Sequence, residues 1–176
     1  IVFGDWSSDV CSSDLGSGKT TQIAARLMAW IEQARLQSQT LRFLALAPTG
    51  KAASRLKESL QAARMGQNPA SIDYSREVRE ALPEEALTIH RALGINPHRA
   101  SFAFRNADNP LNADIVVVDE CSMVDLRTIV RLFDALAPHA RGVLVGDRSQ
   151  LCSAEAGAVC SDICAASAAG SLCHAD

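Results

Sequence analysis

A chain of 176 residues is long enough to bury one substantial core, and 48% hydrophobic with 21% charged residues is ordinary for a soluble domain. A formal net charge of −3 excludes a globally basic surface, so any nucleic-acid contact has to come from local groups. No apolar stretch is long enough to span a membrane and no secretory signal is recognisable, which makes a cytoplasmic location the expectation.

The chain begins at Ile1, without an initiator methionine, and is read as a fragment of a larger protein. The run from Asp5 to Leu15 (DWSSDVCSSDL) closely resembles a translated sequencing-library adapter. Residues 1–15 are therefore expected to be a non-native segment, with natural sequence resuming at or near Gly16 and one domain running over 16–176.

The next six residues, Gly16-Ser17-Gly18-Lys19-Thr20-Thr21, have the chemistry of a phosphate cradle. Glycines let backbone N–H groups close around phosphates, Lys19 supplies a point charge, and the Thr20 hydroxyl is placed to ligate Mg²⁺. The full pattern asks for glycine where Ser13 stands, and Asp14 puts a negative charge beside the phosphates. From 19 to 37, Ile23, Leu27, Met28, Ile31 and Ala34 recur at helical spacing. The run 41–47 is nearly continuous and apolar, as a strand covered on both faces should be. After Pro48-Thr49-Gly50, a second helix is expected over 51–65 with Ala52, Leu56, Leu60 and Ala63 inward. Residues 67–85 read as polar loop with a helical piece, 87–93 as a short helix, and 94–112 as loop.

Ile115-Val116-Val117-Val118 reads as a buried strand delivering Asp119 and Glu120 at its C-terminal end. One carboxylate would hold a metal and the other would polarise an attacking water. A buried strand gains nothing from ending in two adjacent carboxylates, which argues against a purely structural account of them. A helix over 124–136, a strand over 142–145 and a helix over 155–168 complete the pattern. Six cysteines carry no Cys-x-x-Cys spacing, so they read as buried thiols rather than as a metal or disulfide framework.

Strands alternating with helices predict an α/β fold: a parallel sheet with helices on both faces and ligands at the C-terminal strand ends. Four stretches would then converge on one edge, namely 16–20, 49–51, 119–120 and 146–150.

Several of these stretches resemble the superfamily 1 DNA helicases, most closely the RecD family, the alpha subunits of exodeoxyribonuclease V. The resemblance runs over 16–166 and is carried by Ala47-Pro48-Thr49-Gly50-Lys51-Ala52-Ala53, by Thr88-Ile89-His90-Arg91-Ala92-Leu93-Gly94, by 117–126, and by Gly146-Asp147-Arg148-Ser149-Gln150-Leu151 with its continuation through Ile163 and Cys164. It departs from the family at Ser13-Asp14-Leu15, at Cys121 and at Ser149. The resemblance implies a RecA-like P-loop NTPase domain, the first of two motor domains, with ATP and Mg²⁺ as cofactors. Gly16, Ser17, Gly18, Lys19, Thr20, Thr21 and Gln150 would bind ATP, with Thr20 and Asp119 on Mg²⁺. Glu120 would orient the attacking water, Lys19 would serve the β/γ oxygens, and Gln150 would sense the γ-phosphate. Thr49, Gly50, Lys51, Thr88 and His90 would line a track for single-stranded or duplex-end DNA. The implied partners are RecB-like and RecC-like subunits of a complex that unwinds DNA ends in double-strand break repair. The isolated fragment is expected to be inactive, because the second domain's arginines are needed for turnover. The alternatives are another P-loop ATPase of the clamp-loader or remodeller type, or a non-catalytic fragment.

Overall fold

The computed structural model describes residues 2–3, 19–95 and 104–146. Helix α1 (Lys19–Leu36) buries Ile23, Leu27, Met28, Ile31 and Ala34, the stripe that its 3.6-residue spacing demands. Strand β2 (Phe43–Ala47) follows, then helix α2 (Gly50–Arg64), which turns Ala52, Leu56, Leu60 and Ala63 inward. A 3₁₀ turn at Pro69–Ser71 and the short helix α3 (Arg76–Glu80) lead to strand β3 (Ala86–Thr88) and helix α4 (Ile89–Leu93). Gly94 ends α4 in the left-handed region at φ 67°, and a Cβ there would sit 2.7 Å from Phe104 Cβ, so glycine is required twice over. Strand β4 (Ile115–Val118), a 3₁₀ turn at Cys121–Met123, helix α5 (Leu126–Asp134) and strand β5 (Arg141–Leu144) complete the core.

The sheet order is β1-β5-β4-β2-β3, with β1 the two-residue strand Val2–Phe3. Strands β5, β4, β2 and β3 are mutually parallel, as alternation of strands with helices predicts. β1 pairs antiparallel with Val143 and Gly142, an edge that the alternation gave no reason to expect. Period-two alternation in β4 splits the core into two layers. Ile115 and Val117 pack with α1, α2 and α3 through Leu27, Leu56, Leu60 and Val78. Val116 and Val118 pack with α4 and α5 through Ile89, Leu93, Ile129 and Leu132. Each such side chain contributes roughly 1.5–3 kcal/mol of transfer free energy, which is why the central strand tolerates no polar residue until it ends.

Some boundaries differ from the sequence reading. Ala86–Thr88 is strand rather than the start of a helix, because it pairs in parallel with Ala45, Leu46 and Ala47 of β2. The helical piece expected within 67–85 is α3, capped by the Ser75 hydroxyl accepting from Val78 N at 3.4 Å. α5 starts at Leu126 rather than 124, because Asp125 caps it. The helix expected over 155–168 lies outside the described residues.

At the N-terminal edge of the sheet, Asp114 clasps two strands. Its Oδ2 accepts from Arg42 N at 2.7 Å and Arg42 Nε at 3.0 Å, and its Oδ1 accepts from Arg42 Nη2 at 2.8 Å. His139 Nε2 lies 3.2 Å from the same Oδ1. Hydrogen bonds from the Arg42 side chain hold the Asp114 carboxyl well below the usual carboxylate range.

Candidate nucleotide and nucleic-acid site

Register levels the C-terminal strand ends on the opposite edge. Leu46 pairs with Val118, Ala47 with Thr88, and Val118 with Leu144, so the residues following β2, β3, β4 and β5 emerge side by side. Asp119 and Glu120 follow β4 directly. Asp119 is 9% exposed and continues the ladder, its N–H donating to Leu46 O at 2.9 Å. Its Oδ1 accepts the Glu120 N–H at 2.9 Å, which fixes the carboxylate relative to the turn. An oxygen donor held at a buried strand end suits a hard divalent cation such as Mg²⁺.

Glu120 adopts φ 53°, ψ 38°, the left-handed region that costs a non-glycine residue roughly 1 kcal/mol. The turn behind it is anchored by Cys121 N–H donating to Val145 O at 2.8 Å. Cys121 is buried, in line with its reading as a packed thiol. Ser122 is also buried, and among the described residues its Oγ has no hydrogen-bond partner.

Two threonines expected to face a ligand also do local structural work. Thr49 Oγ1 accepts from Ala52 N at 3.2 Å and caps α2, and Thr88 Oγ1 accepts from Arg91 N at 3.3 Å and caps α4. Capping occupies one acceptor site and leaves each hydroxyl proton able to donate elsewhere. Gly50 opens α2 with nothing among the described residues within 4 Å of where a Cβ would stand, so none of them demands glycine there. Lys51 is exposed beside it, whereas Lys57 further along α2 pairs with Glu85 at 3.4 Å. His90 is exposed on α4.

Lys19 and Thr20 form the first residues of α1, and Thr21 is half-buried one position on. Gly16, Ser17, Gly18 and Gln150 lie outside the described residues, as do Asp147, Arg148 and Ser149. The structure thus brings together 49–51, 88–90 and 119–120 on one edge.

Sequence reasoning missed Asp125. Its Oδ1 accepts from Thr128 N at 2.9 Å and its Oδ2 from Thr128 Oγ1 at 2.7 Å. Burial pushes the Asp125 carboxyl up, but the Thr128 hydrogen bonds and the nearby His90 outweigh it, and the net direction is down. The Asp-x-x-Thr spacing ahead of an apolar run was the available signal. A cavity of about 550 Å³, lined by Trp30, Gln33, Asp114, His139 and Arg141 among others, opens at the opposite strand ends and is no part of this site.

A parallel sheet with acidic and helix-starting loops gathered on one edge defines the class, an α/β RecA-like P-loop domain. The chain belongs to the family described as the AAA domain, whose model matches residues 10–156. Family membership implies nucleotide use. More particularly, the chain is 41% identical over 148 residues to the RecBCD enzyme subunit RecD of Haemophilus influenzae, covering 84% of this chain and 22% of that protein. It is 44% identical over 151 residues to RecBCD enzyme subunit RecD of Mycolicibacterium smegmatis, covering 84% and 26%. Against the ATP-dependent RecD2 DNA helicase of Deinococcus radiodurans it is 36% identical over 110 residues, covering 62% and 15%. The chain spans about a quarter of the length of the RecD subunits it matches. Among the described residues, no helix is long and apolar enough to cross a membrane.

Proposed function

We propose that this chain is the nucleotide-binding part of the first motor domain of a RecD-type, ATP-dependent DNA helicase, working in the cytoplasm with RecB-like and RecC-like subunits on DNA ends. The levelling of 49–51, 88–90 and 119–120 on one sheet edge carries this reading, because a motor must couple a nucleotide to a strand at short range. In it, Gly16, Ser17, Gly18, Lys19, Thr20 and Thr21 hold ATP, and Thr20 with Asp119 holds Mg²⁺. The ion, when bound, neutralises charge on the phosphoryl oxygens. Glu120 accepts the proton of the attacking water, its backbone turn held by Asp119 Oδ1. Gln150 reads the γ-phosphate. Thr49 and Thr88 donate their hydroxyl protons to DNA phosphates while capping their helices, Gly50 lets a strand approach the start of α2, and Lys51 and His90 supply charge and contact. Residues 1–15 are a foreign segment in this account.

The test is fluorescence anisotropy of the chain with labelled oligo-dT and with blunt duplex at matched salt. Tighter binding to the single strand, with a shallow salt slope, is expected from so few cations. Equal or tighter binding to duplex would falsify the assignment.

A further inference from the structure

The cavity of about 550 Å³ lies at the N-terminal strand ends, bounded by the last turns of α1, the residues leading into β2 and the starts of β4 and β5. Its floor is apolar. Ala34 and Ile115 are buried there, and Trp30 and Leu41 line the space while packing against the core. Charge in the lining is unevenly spent. Asp114 is occupied by the Arg42 bonds and by His139, so its negative charge is already balanced. Arg141 donates its backbone N–H to Asp114 O at 2.9 Å, which fixes its place in the wall. Its guanidinium makes no hydrogen bond or ion pair among the described residues, and the same holds for the side chains of Trp30, Gln33, Gln37 and Gln39. A second cavity of about 270 Å³ shares Ala34, Gln39, Thr40 and Leu41 with the first, but there Arg35 is paired with Glu77. Among the described residues, only the larger of the two keeps an unneutralised guanidinium.

Each part of the lining selects a chemistry. A flat indole over an apolar floor takes a ring. An unpaired guanidinium takes a carboxylate, whose planar pair of oxygens fits its fork of donors. Carboxamides donate and accept at once, as peptide N–H and C=O groups require. A nucleic-acid backbone would instead call for several cations in succession, and here one guanidinium stands beside the Asp114 carboxylate. We propose that this cavity is a docking site for a short peptide segment of a partner protein that carries a ring-bearing side chain next to an acidic one. The ring sets against Trp30, the carboxylate meets Arg141, and the peptide groups meet Gln33, Gln37 and Gln39. The site lies at the strand ends opposite 119–120, so the inference is independent of the function proposed for that edge.

Trp6 and Trp30 are the chain's two tryptophans, so in the full chain carrying Trp6→Phe the emission reports on Trp30 alone. The probes are three blocked dipeptides, N-acetyl-Phe-Asp-amide, N-acetyl-Phe-Asn-amide and N-acetyl-Ala-Asp-amide, followed at pH 7 by fluorescence and by calorimetry. The Phe-Asp peptide should bind with a dissociation constant on the order of 1 mM, as expected of so small a ligand, and should shift the Trp30 emission. The Phe-Asn peptide, which lacks the charge for an exposed guanidinium, should bind about fivefold more weakly, and the ringless Ala-Asp peptide at least as weakly as that. Arg141→Gln should abolish the preference for Asp over Asn, and Arg141→Lys should keep part of it. Arg141 is exposed and its hydrogen bond to Asp114 O is made by the backbone, so both variants keep the sheet. Equal affinity for the Asp and Asn peptides, equal affinity for the ringed and ringless ones, or no binding by either method overturns the proposal. So does a preference that survives Arg141→Gln, or a thymidine dinucleotide that binds more tightly than the Phe-Asp peptide. The three-peptide comparison needs no substitution in the cavity, and it decides the question whatever the variants do.

Discussion

Removing the Asp114 carboxylate should weaken the sheet at its N-terminal edge by a predictable amount. Asp114 accepts three hydrogen bonds from Arg42, one of them from the backbone N–H at 2.7 Å. Charge-assisted bonds are worth about 1.5–3 kcal/mol when shielded, but the Arg42 side chain is 51% exposed, so solvent reduces the ion pair to about 1 kcal/mol. Leaving the backbone N–H without its acceptor costs about 1 kcal/mol more. Asp114→Ala should therefore lose about 2 kcal/mol, roughly thirtyfold in the unfolding constant at pH 7. Asp114→Asn, which keeps an acceptor oxygen, should lose about half of that. Arg42 depresses the carboxyl in the folded state, so its stabilisation is complete above the unfolded value of about 3.9 and drains away as pH falls through the folded one. The gap between the unaltered chain and Asp114→Asn should accordingly narrow below about pH 4. Urea melts followed by tryptophan fluorescence read both quantities. A gap that stays constant into acid, or an alanine variant within about 0.5 kcal/mol of the parent, would refute the clasp.

Ser122→Ala removes a buried hydroxyl that has no partner among the described residues and should leave thermal stability unchanged or raised by up to about 1 kcal/mol; a loss would mean the hydroxyl has a partner in solution. Thr49→Ala should cost about 1 kcal/mol through the lost α2 cap, and Thr49→Ser should restore most of it in the same urea assay. In a protein of the relatives' full length, Glu120→Gln should keep nucleotide affinity while turnover collapses by a factor on the order of 10²–10⁴; near-normal turnover would remove Glu120 from the role of base.

Local periodicity made much of this fold legible. Ile23, Leu27, Met28, Ile31 and Ala34 announced α1 by spacing alone, and four consecutive β-branched residues announced β4. The strand β3 was not legible, because three half-buried residues carry no period and become strand only through pairing with β2. The Asp114 clasp spans 72 residues of sequence and has no local signature. At the site, Asp119 and Glu120 were readable from the apolar run before them. The capping work of Thr49 and Thr88 was readable too, from a hydroxyl residue preceding a helix, but was overlooked in favour of ligand contact. The left-handed turn at Glu120 depends on how β4 meets the following 3₁₀ turn, which composition does not encode.

That turn places a steric filter in front of a chemical one. Position 120 admits asparagine, aspartate and glycine more readily than valine, isoleucine or threonine, whatever the reaction requires of it. On the role proposed for Glu120, a saturation library there in a protein of the relatives' full length would return two kinds of dead clone, those that lack the carboxylate and those that misfold at the bend. Colony activity scores them alike; soluble yield sorts them, with the branched side chains falling out first.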